Sequence, residues 1–429
     1  LRQGIHRDLF SVGTGKVLSG ATSLLIRIYA MPFLDPAGYG VLSLGINCLT
    51  LFEALIGSAL DLGTIGLITR GKLCEGRAIL PAEKATIGLK LAGGAALAVF
   101  FALAGEWLGY RFLHGPGGRQ FFLALAAGGT GILLLRSVQL YFQARLRFRV
   151  FAAIDLAHSA LRIVLVAAVL YLGTPTAVSI LWCFAGASGL VCASFLIYGL
   201  AAASWSGERP GWRDLRAVAR SSAPMAASFG ASAIASRLDV FLLALRGTPS
   251  QLGLYGAALT FATIPEVFGV YLAPVFLPHI LPACRAGTFR AFFRRFLLLA
   301  YGLAGVLLTL GLLAGRPLLA LVLPARYAPA IDLVMILLPG TLAVAVLFPV
   351  TLNFLMLTRP LLCLAVDSVA IPLLALAYFF LVPEYGAIAA AWITAIHRLS
   401  KAAVMQAGAY ALARGPVNCV PAPEAPQVL

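Results

Sequence analysis

The stretch SGATSLLIRIYAMPFL, residues 19–34, has the length and apolar character of a membrane-spanning helix, and Arg27 sits inside it. An arginine at the centre of such a helix costs about 2.5–3.5 kcal/mol if nothing compensates it. A helix turns about 100° per residue, so Lys16, Ser19, Ser23 and Arg27 fall within roughly 60° of one another, with Gly20 beside them. A polar stripe cannot face lipid, so it is expected to face other helices or a wet cavity. The competing account is snorkelling. Arg27 lies about 10 Å from the outer end of its span at 1.5 Å per residue, a distance that a long side chain partly bridges. For Lys16 and Lys90, which lie near span ends, snorkelling is the expectation; for Arg27, backed by two serines, it is the cavity.

Working outward, the chain is 61% hydrophobic and 11% charged over 429 residues, with a mean hydropathy of +0.95. A water-soluble fold of this length needs far more polar surface, so the composition points to an all-α, polytopic membrane protein. About twelve runs approach the roughly 20 residues that a bilayer requires. They are 11–34, 42–68, 84–108, 121–143, 152–172, 177–202, 222–245, 254–282, 296–315, 331–357, 361–382 and 386–412. The first run is full length and lacks a small-residue cleavage site, so it is expected to remain as a helix.

The net charge of +16 could suggest nucleic acid, but the placement of the basic residues argues against it. They cluster in alternate connections: Arg70, Lys72, Arg77 and Lys84; Arg145, Arg147 and Arg149; Arg209, Arg213, Arg216 and Arg220; Arg285, Arg290, Arg294 and Arg295. The opposite connections hold only Arg111, Arg119, Arg246, Arg316 and Arg326. This positive-inside pattern places both termini in the cytoplasm, makes the basic loops topology signals that touch the lipid bilayer, and leaves no role for nucleic acid. The seven cysteines are odd in number and scattered, form no CxxC and read as small apolar residues; no metal and no cofactor are expected.

The longest polar break, 201–224, divides the spans six and six. The expected organisation is an N-terminal lobe (1–202), a cytoplasmic linker (203–221), a C-terminal lobe (222–412) and a cytoplasmic tail (413–429). The halves echo each other: Phe142, Arg147 and Asp155 recur as Phe354, Arg359 and Asp367 at one offset of 212, and Tyr39 aligns with Tyr255. An even number of spans per copy gives both copies one orientation, hence two six-helix lobes related by a parallel pseudo-two-fold. In alternating-access transporters that architecture places the site between the lobes.

Further polar stripes recur. Glu53 and Asp61 share a face in the second span; Arg136, Gln139 and Gln143 align in the fourth; Asp155, His158 and Arg162 align in the fifth. In the seventh, Asp239 shares a face with Ser228 and Ser232 while Arg237 points nearly opposite. Glu266 follows Pro265 in the eighth, and His397, Arg398 and Lys401 put positive charge in the twelfth. If every basic residue in these spans faced lipid, the penalty would exceed roughly 20 kcal/mol, more than typical folding stability. One resolution is a set of inter-helix ion pairs with the acids. The other is a water-filled, net-positive vestibule for a phosphate-bearing solute, since a guanidinium fork holds phosphate oxygens bidentately.

The chain resembles the polysaccharide-exporter, or O-antigen, flippases of the multidrug/oligosaccharidyl-lipid/polysaccharide exporter superfamily. The likeness is carried by Arg27 followed by DPAGYGVLSL, by LDLGTIGLITR, by YFQARLRFRVFAAIDLAHSALRIVLVAAVLYLG, by SRLDVFLLAL with LGLYGAALTF, and by NFLMLTRPLLCLAVD. These motifs are diffuse but cover nearly the whole chain. The resemblance implies a bacterial inner-membrane flippase, not an enzyme, that moves an undecaprenyl-diphosphate-linked oligosaccharide to the periplasmic leaflet, coupled to protons or sodium, with a polysaccharide polymerase as a candidate partner. It matches Arg27 to the cationic first helix of such flippases. The stripes add the rest: Lys16, Ser23, Arg136, Arg162, Arg237 and Arg398 as substrate contacts, and Asp61, Glu53, Asp239, Glu266 and Asp155 as ion-coupling candidates. The rival readings are a multidrug cation antiporter of the same superfamily and an integral-membrane glycan polymerase or glycosyltransferase.

Overall fold

The computed structural model describes residues 18–70, 80–145, 147–202, 210–267, 269, 276, 280, 283 and 286–413. Helix α1 covers residues 18–30. Next come α2 (Pro36–Phe52), a π-helical segment at Glu53–Ser58 and α3 (Ala59–Arg70), followed by α4 (Pro81–Phe112), α5 (Gly118–Ala144), α6 (Phe148–Leu172) and α7 (Ala177–Ala202). Then follow α8 (Trp212–Arg246), α9 (Pro249–Ala262), α10 (Phe289–Val322), α11 (Ala330–Leu347), a second π-helical segment (Phe348–Leu352), α12 (Asn353–Thr358) and α13 (Pro360–Leu412).

Helix starts follow local chemistry. Asp35 accepts a hydrogen bond from the Gly38 N–H at 2.8 Å and is followed by Pro36, whose missing donor costs nothing at the first helical position. Thr248 and Gln251 form a reciprocal capping box ahead of α9, again with proline next. Where α4 turns into α5, Gly109 and Gly118 pack backbone to backbone: a Cβ on Gly109 would stand 2.5 Å from the Gly118 Cα, so nothing larger fits.

Among the described residues, nine helices are long and apolar enough to cross a bilayer. The last, Leu361–Leu412, would be about 78 Å long if straight, far beyond the roughly 30 Å hydrocarbon core. It breaks at Gly386, where φ 58 and ψ −135 leave the helical region and a Cβ would collide with Gln251. The eleventh and twelfth spans meet there, just after Pro383. The first and eighth spans fall partly outside the described residues. Helix α10 shows the membrane environment directly: Leu298, Leu299, Leu303, Leu310, Leu313 and Leu321 are all exposed, a surface that water would not tolerate. The protein is an all-α, multi-pass membrane protein.

Contacts divide the chain into two compact units, Leu1–Arg237 and Leu238–Leu429. In the first, α5 is the hub, packing on α4, α6 and α7; in the second, α11 is the hub, packing on α9, α10 and α13. The fourth and tenth spans therefore do the same job. The residues at the offset of 212 occupy matching places. Phe142 and Phe354 are core residues, Arg147 and Arg359 each precede the first turn of the following helix, and Asp155 and Asp367 are buried eight positions further on. Cys48, Cys183, Cys192 and Cys363 are buried free thiols.

Candidate arginine site and buried carboxylate

In the first unit the polar stripe of α1 meets that of α6. Ser159 Oγ donates to Ser19 Oγ at 3.0 Å, and one turn along Arg162 Nη2 donates to Ser23 Oγ at 2.6 Å. Arg162 is 8% exposed, its guanidinium stands 4.9 Å from the Phe184 ring centre, and its Nε has no hydrogen-bond partner. Arg237 reaches back from α8 and donates to Asn47 Oδ1 at 2.9 Å; the Asn47 amide is oriented by its own bond to the Ser43 carbonyl at 2.8 Å. Arg27 lies within repulsive range of both Arg162 and Arg237.

None of these three guanidinium groups has a carboxylate within ion-pair distance among the described residues, and Arg27 makes no hydrogen bond there. Each guanidinium carries five N–H donors, so the trio leaves most of its donor capacity open. Burying such charges is costly unless water or an anion supplies the missing acceptors.

Three other cations in this unit, Arg136, Arg145 and Lys90, are ion-paired. Arg136 is ion-paired with Glu53 through two nitrogens, its Nε at 2.7 Å, and Arg136 Nη1 donates to Gln139 Oε1 at 2.8 Å. Gln139 in turn donates to Asp155 Oδ1 at 2.6 Å, so a continuous polar chain crosses from the π-segment through α5 to α6. Arg145 forks onto Glu83 at 2.7 and 3.0 Å. Lys90 corrects the snorkelling expectation: its side chain is 0% exposed and donates to Asp61 at 2.6 Å. A partner on the adjacent helix is closer than the membrane surface, and it removes the need to reach water.

In the second unit the order is reversed. Arg398 pairs with Glu266 at 3.0 Å and Lys401 with Asp367 at 2.5 Å. Asp239, 4% exposed, has no cation partner among the described residues and is held by neutral groups instead. Tyr255 O–H donates to it at 2.6 Å, Thr394 Oγ1 lies at 3.5 Å, and the Val240 N–H donates at 2.8 Å. Thr394 also shares a hydrogen bond with Tyr255 at 2.7 Å and with Tyr378 at 2.6 Å. Asp239 is thus a buried carboxylate held by hydroxyl and amide donors. Helix α9 ends at Thr263, before Pro265, whose ring cannot continue the ladder; Glu266 is on the short helical piece that follows.

Of the candidate substrate contacts, the structure gathers Arg27, Ser23, Arg162 and Arg237 in one unit, pairs Arg136 with Glu53, and places Arg398 on Glu266 in the other unit; Lys16 lies outside the described residues. Arg237 and Asp239, two residues apart on α8, face different surroundings. Sequence reasoning missed Asn47, a lone amide in an apolar run, and the hydroxyl set of Tyr255, Tyr378 and Thr394; buried polar residues within spans were the signal. Phe184 carried none. Among the described residues no group of three or more His, Cys, Asp or Glu could hold a metal ion.

No family model and no curated protein matches the chain. Solved structures do. Lipid II flippase MurJ in an inward closed conformation aligns over 92% of this chain and 87% of its own, with TM-score 0.73 and 11% identity. An inward-facing multidrug resistance MATE family transporter of the MOP superfamily aligns over 92% and 94%, with TM-score 0.71 and 13% identity. The MATE transporter VcmN of Vibrio cholerae, in its bent form, aligns over 96% and 97%, with TM-score 0.59 and 16% identity. The chain has the fold shared by these flippases and transporters, a two-lobe arrangement of about twelve membrane helices.

Proposed function

We propose that this protein is an ion-coupled flippase that carries a polyprenyl-diphosphate-linked oligosaccharide, of the undecaprenyl type, from the cytoplasmic to the periplasmic leaflet of a bacterial inner membrane for surface-polysaccharide assembly. The observation that carries the reading is the trio of buried Arg162 and half-buried Arg27 and Arg237, cations with no carboxylate within ion-pair distance among the described residues. A diphosphate offers a charge-dense set of acceptors, and planar guanidinium forks bind it without changing protonation state. The lipid II flippase that shares the fold supports this substrate class, and the positive-inside pattern supports cytoplasmic termini.

In this reading Asp239 is the coupling group. A proton or sodium ion there biases the equilibrium between inward and outward states only through its different affinity for the two. The lobes are residues 1–202 and 222–412, with 203–221 as linker and 413–429 as tail.

A second reading, a multidrug cation antiporter, draws support from the MATE transporters of the same fold and from Asp239 itself, which suits a cation better than an anion. The two readings make opposite demands on the arginines. The test is flipping of a lipid-diphosphate oligosaccharide by the reconstituted protein under imposed proton or sodium gradients, with wild type beside Arg27→Ala. Flipping by wild type and not by the variant supports the proposal. No flipping under any gradient overturns it, and gradient-driven efflux of organic cations that survives Arg27→Ala selects the second reading.

A further inference from the structure

Two of the three arginines without an ion pair, Arg162 and Arg237, are each held by a neutral side chain, and the two holders are built alike. On α2, the side-chain amide of Asn47 donates to the carbonyl of Ser43, four residues back on the same helix, at 2.8 Å. A carbonyl only accepts, so the amide nitrogen is committed to it and the amide oxygen is left to face Arg237 Nη1 at 2.9 Å. On α1, the hydroxyl of Ser23 donates its one proton to the carbonyl of Ser19, again four residues back, at 3.0 Å. A lone pair is therefore what faces Arg162 Nη2 at 2.6 Å. Each back-bond fixes the polarity of its holder, so that an acceptor is always turned toward the guanidinium.

The same unit shows the alternative. Arg136 and Arg145 are held by the carboxylates of Glu53 and Glu83. A carboxylate orients a guanidinium and also cancels its charge; an amide oxygen or a hydroxyl orients it and leaves the charge whole. At position 47 the two outcomes differ by one group, since aspartate has the shape of asparagine and would form an ion pair at the same distance. We infer that Asn47 and Ser23 are positioning residues for the anion site: they aim Arg237 and Arg162 while keeping both charges uncancelled, so these positions accept a neutral acceptor and not an acid. Ser23 then acts through Arg162 rather than on the substrate. Each holder takes one of five N–H donors, and the buried, unpartnered Nε of Arg162 is among those left for the anion. The inference rests on the flippase reading for the identity of that anion, a diphosphate, and adds what keeps the arginines available to it.

The experiment titrates farnesyl diphosphate, a short lipid diphosphate, into the purified full-length protein in detergent, with the unfolding temperature measured for every variant. Asn47→Asp keeps the shape and an acceptor but adds the acid, and should weaken binding by about tenfold or more. Asn47→Leu deletes the holder and leaves the charge on Arg237 whole, so it should cost only a few-fold. The order is diagnostic: were Asn47 merely structural, Leu, which loses both hydrogen bonds, would be the worse variant and Asp the milder. Ser23→Asp against Ser23→Ala repeats the comparison at a half-buried position, and keeps the test decisive if Asn47→Asp does not fold. Binding by the two Asp variants equal to wild type overturns the proposal, as does weaker binding by Leu and Ala than by Asp. Wild type that binds no farnesyl diphosphate overturns it together with the diphosphate reading of the site. The expected order of affinities in a protein that never flips lipid-diphosphate oligosaccharide keeps the inference and removes the flippase reading. Flipping and binding that are both indifferent to an acid at positions 47 and 23 remove the inference alone.

Discussion

The two units treat buried charge in opposite ways. Among the described residues, the first holds three arginines, Arg27, Arg162 and Arg237, with no carboxylate within ion-pair distance, while Lys90, Arg136 and Arg145 are each paired with an acid. Among the described residues, the second pairs Arg398 and Lys401 with acids and leaves a carboxylate, Asp239, held by hydroxyls without an ion pair. Paired charges are structural, because removing one partner strands the other. Charges without an ion pair among the described residues are the candidates for function. On the proposed reading, the first unit offers a seat for an anion and the second a seat for a cation.

The sharpest way to break this contrast is to strip a paired cation. Asp367→Asn strands Lys401, and Asp61→Asn strands the fully buried Lys90; each should cost about 3–5 kcal/mol, read as a fall in thermal unfolding temperature in detergent. If either is tolerated, pairing is not what holds these cations. Next in size, Arg162→Ala or Arg27→Ala should weaken binding of a lipid diphosphate by about ten- to a hundredfold, the worth of a charge-assisted hydrogen bond, as measured by titration of the purified protein. An unchanged affinity would remove the trio from the site. Smaller again, Tyr255→Phe removes one donor from Asp239 and should cost about 1 kcal/mol of stability, while Asp239→Asn should leave binding of the diphosphate lipid intact and abolish the dependence of flipping on the ion gradient. Smallest, Arg27→Leu should leave the unfolding temperature level or slightly raised, since Arg27 loses no hydrogen bond or ion pair among the described residues. A large fall would mean that Arg27 is structural after all.

Much of the fold was legible. The spans followed from hydropathy, and the expected bounds 361–382 and 386–412 leave a gap just before Gly386, which takes a conformation open to glycine. The repeat was legible from three residues, because buried Phe142 and Phe354, the arginines at the following helix starts and the buried aspartates answer the same geometric demand twice. Pairings were less accessible. A stripe gives the direction in which a side chain leaves its helix but not which helix faces it. Thus Lys90 read as a snorkelling residue until Asp61 was found opposite, and Arg136 read as a substrate contact while Glu53 holds it. Asn47 was invisible for the same reason: its role depends on Arg237, almost two hundred positions away.

The π-helical segment at Glu53–Ser58 has a genetic consequence. An extra residue within a turn rotates everything downstream about the helix axis, so Glu53 and Asp61 reach different helices, one finding Arg136 on α5 and the other Lys90 on α4. Losing a single codon inside that segment would restore ordinary winding, swing Asp61 away from Lys90 and orphan a fully enclosed ammonium, without altering the hydropathy profile at all. Length, more than composition, is what selection must guard there.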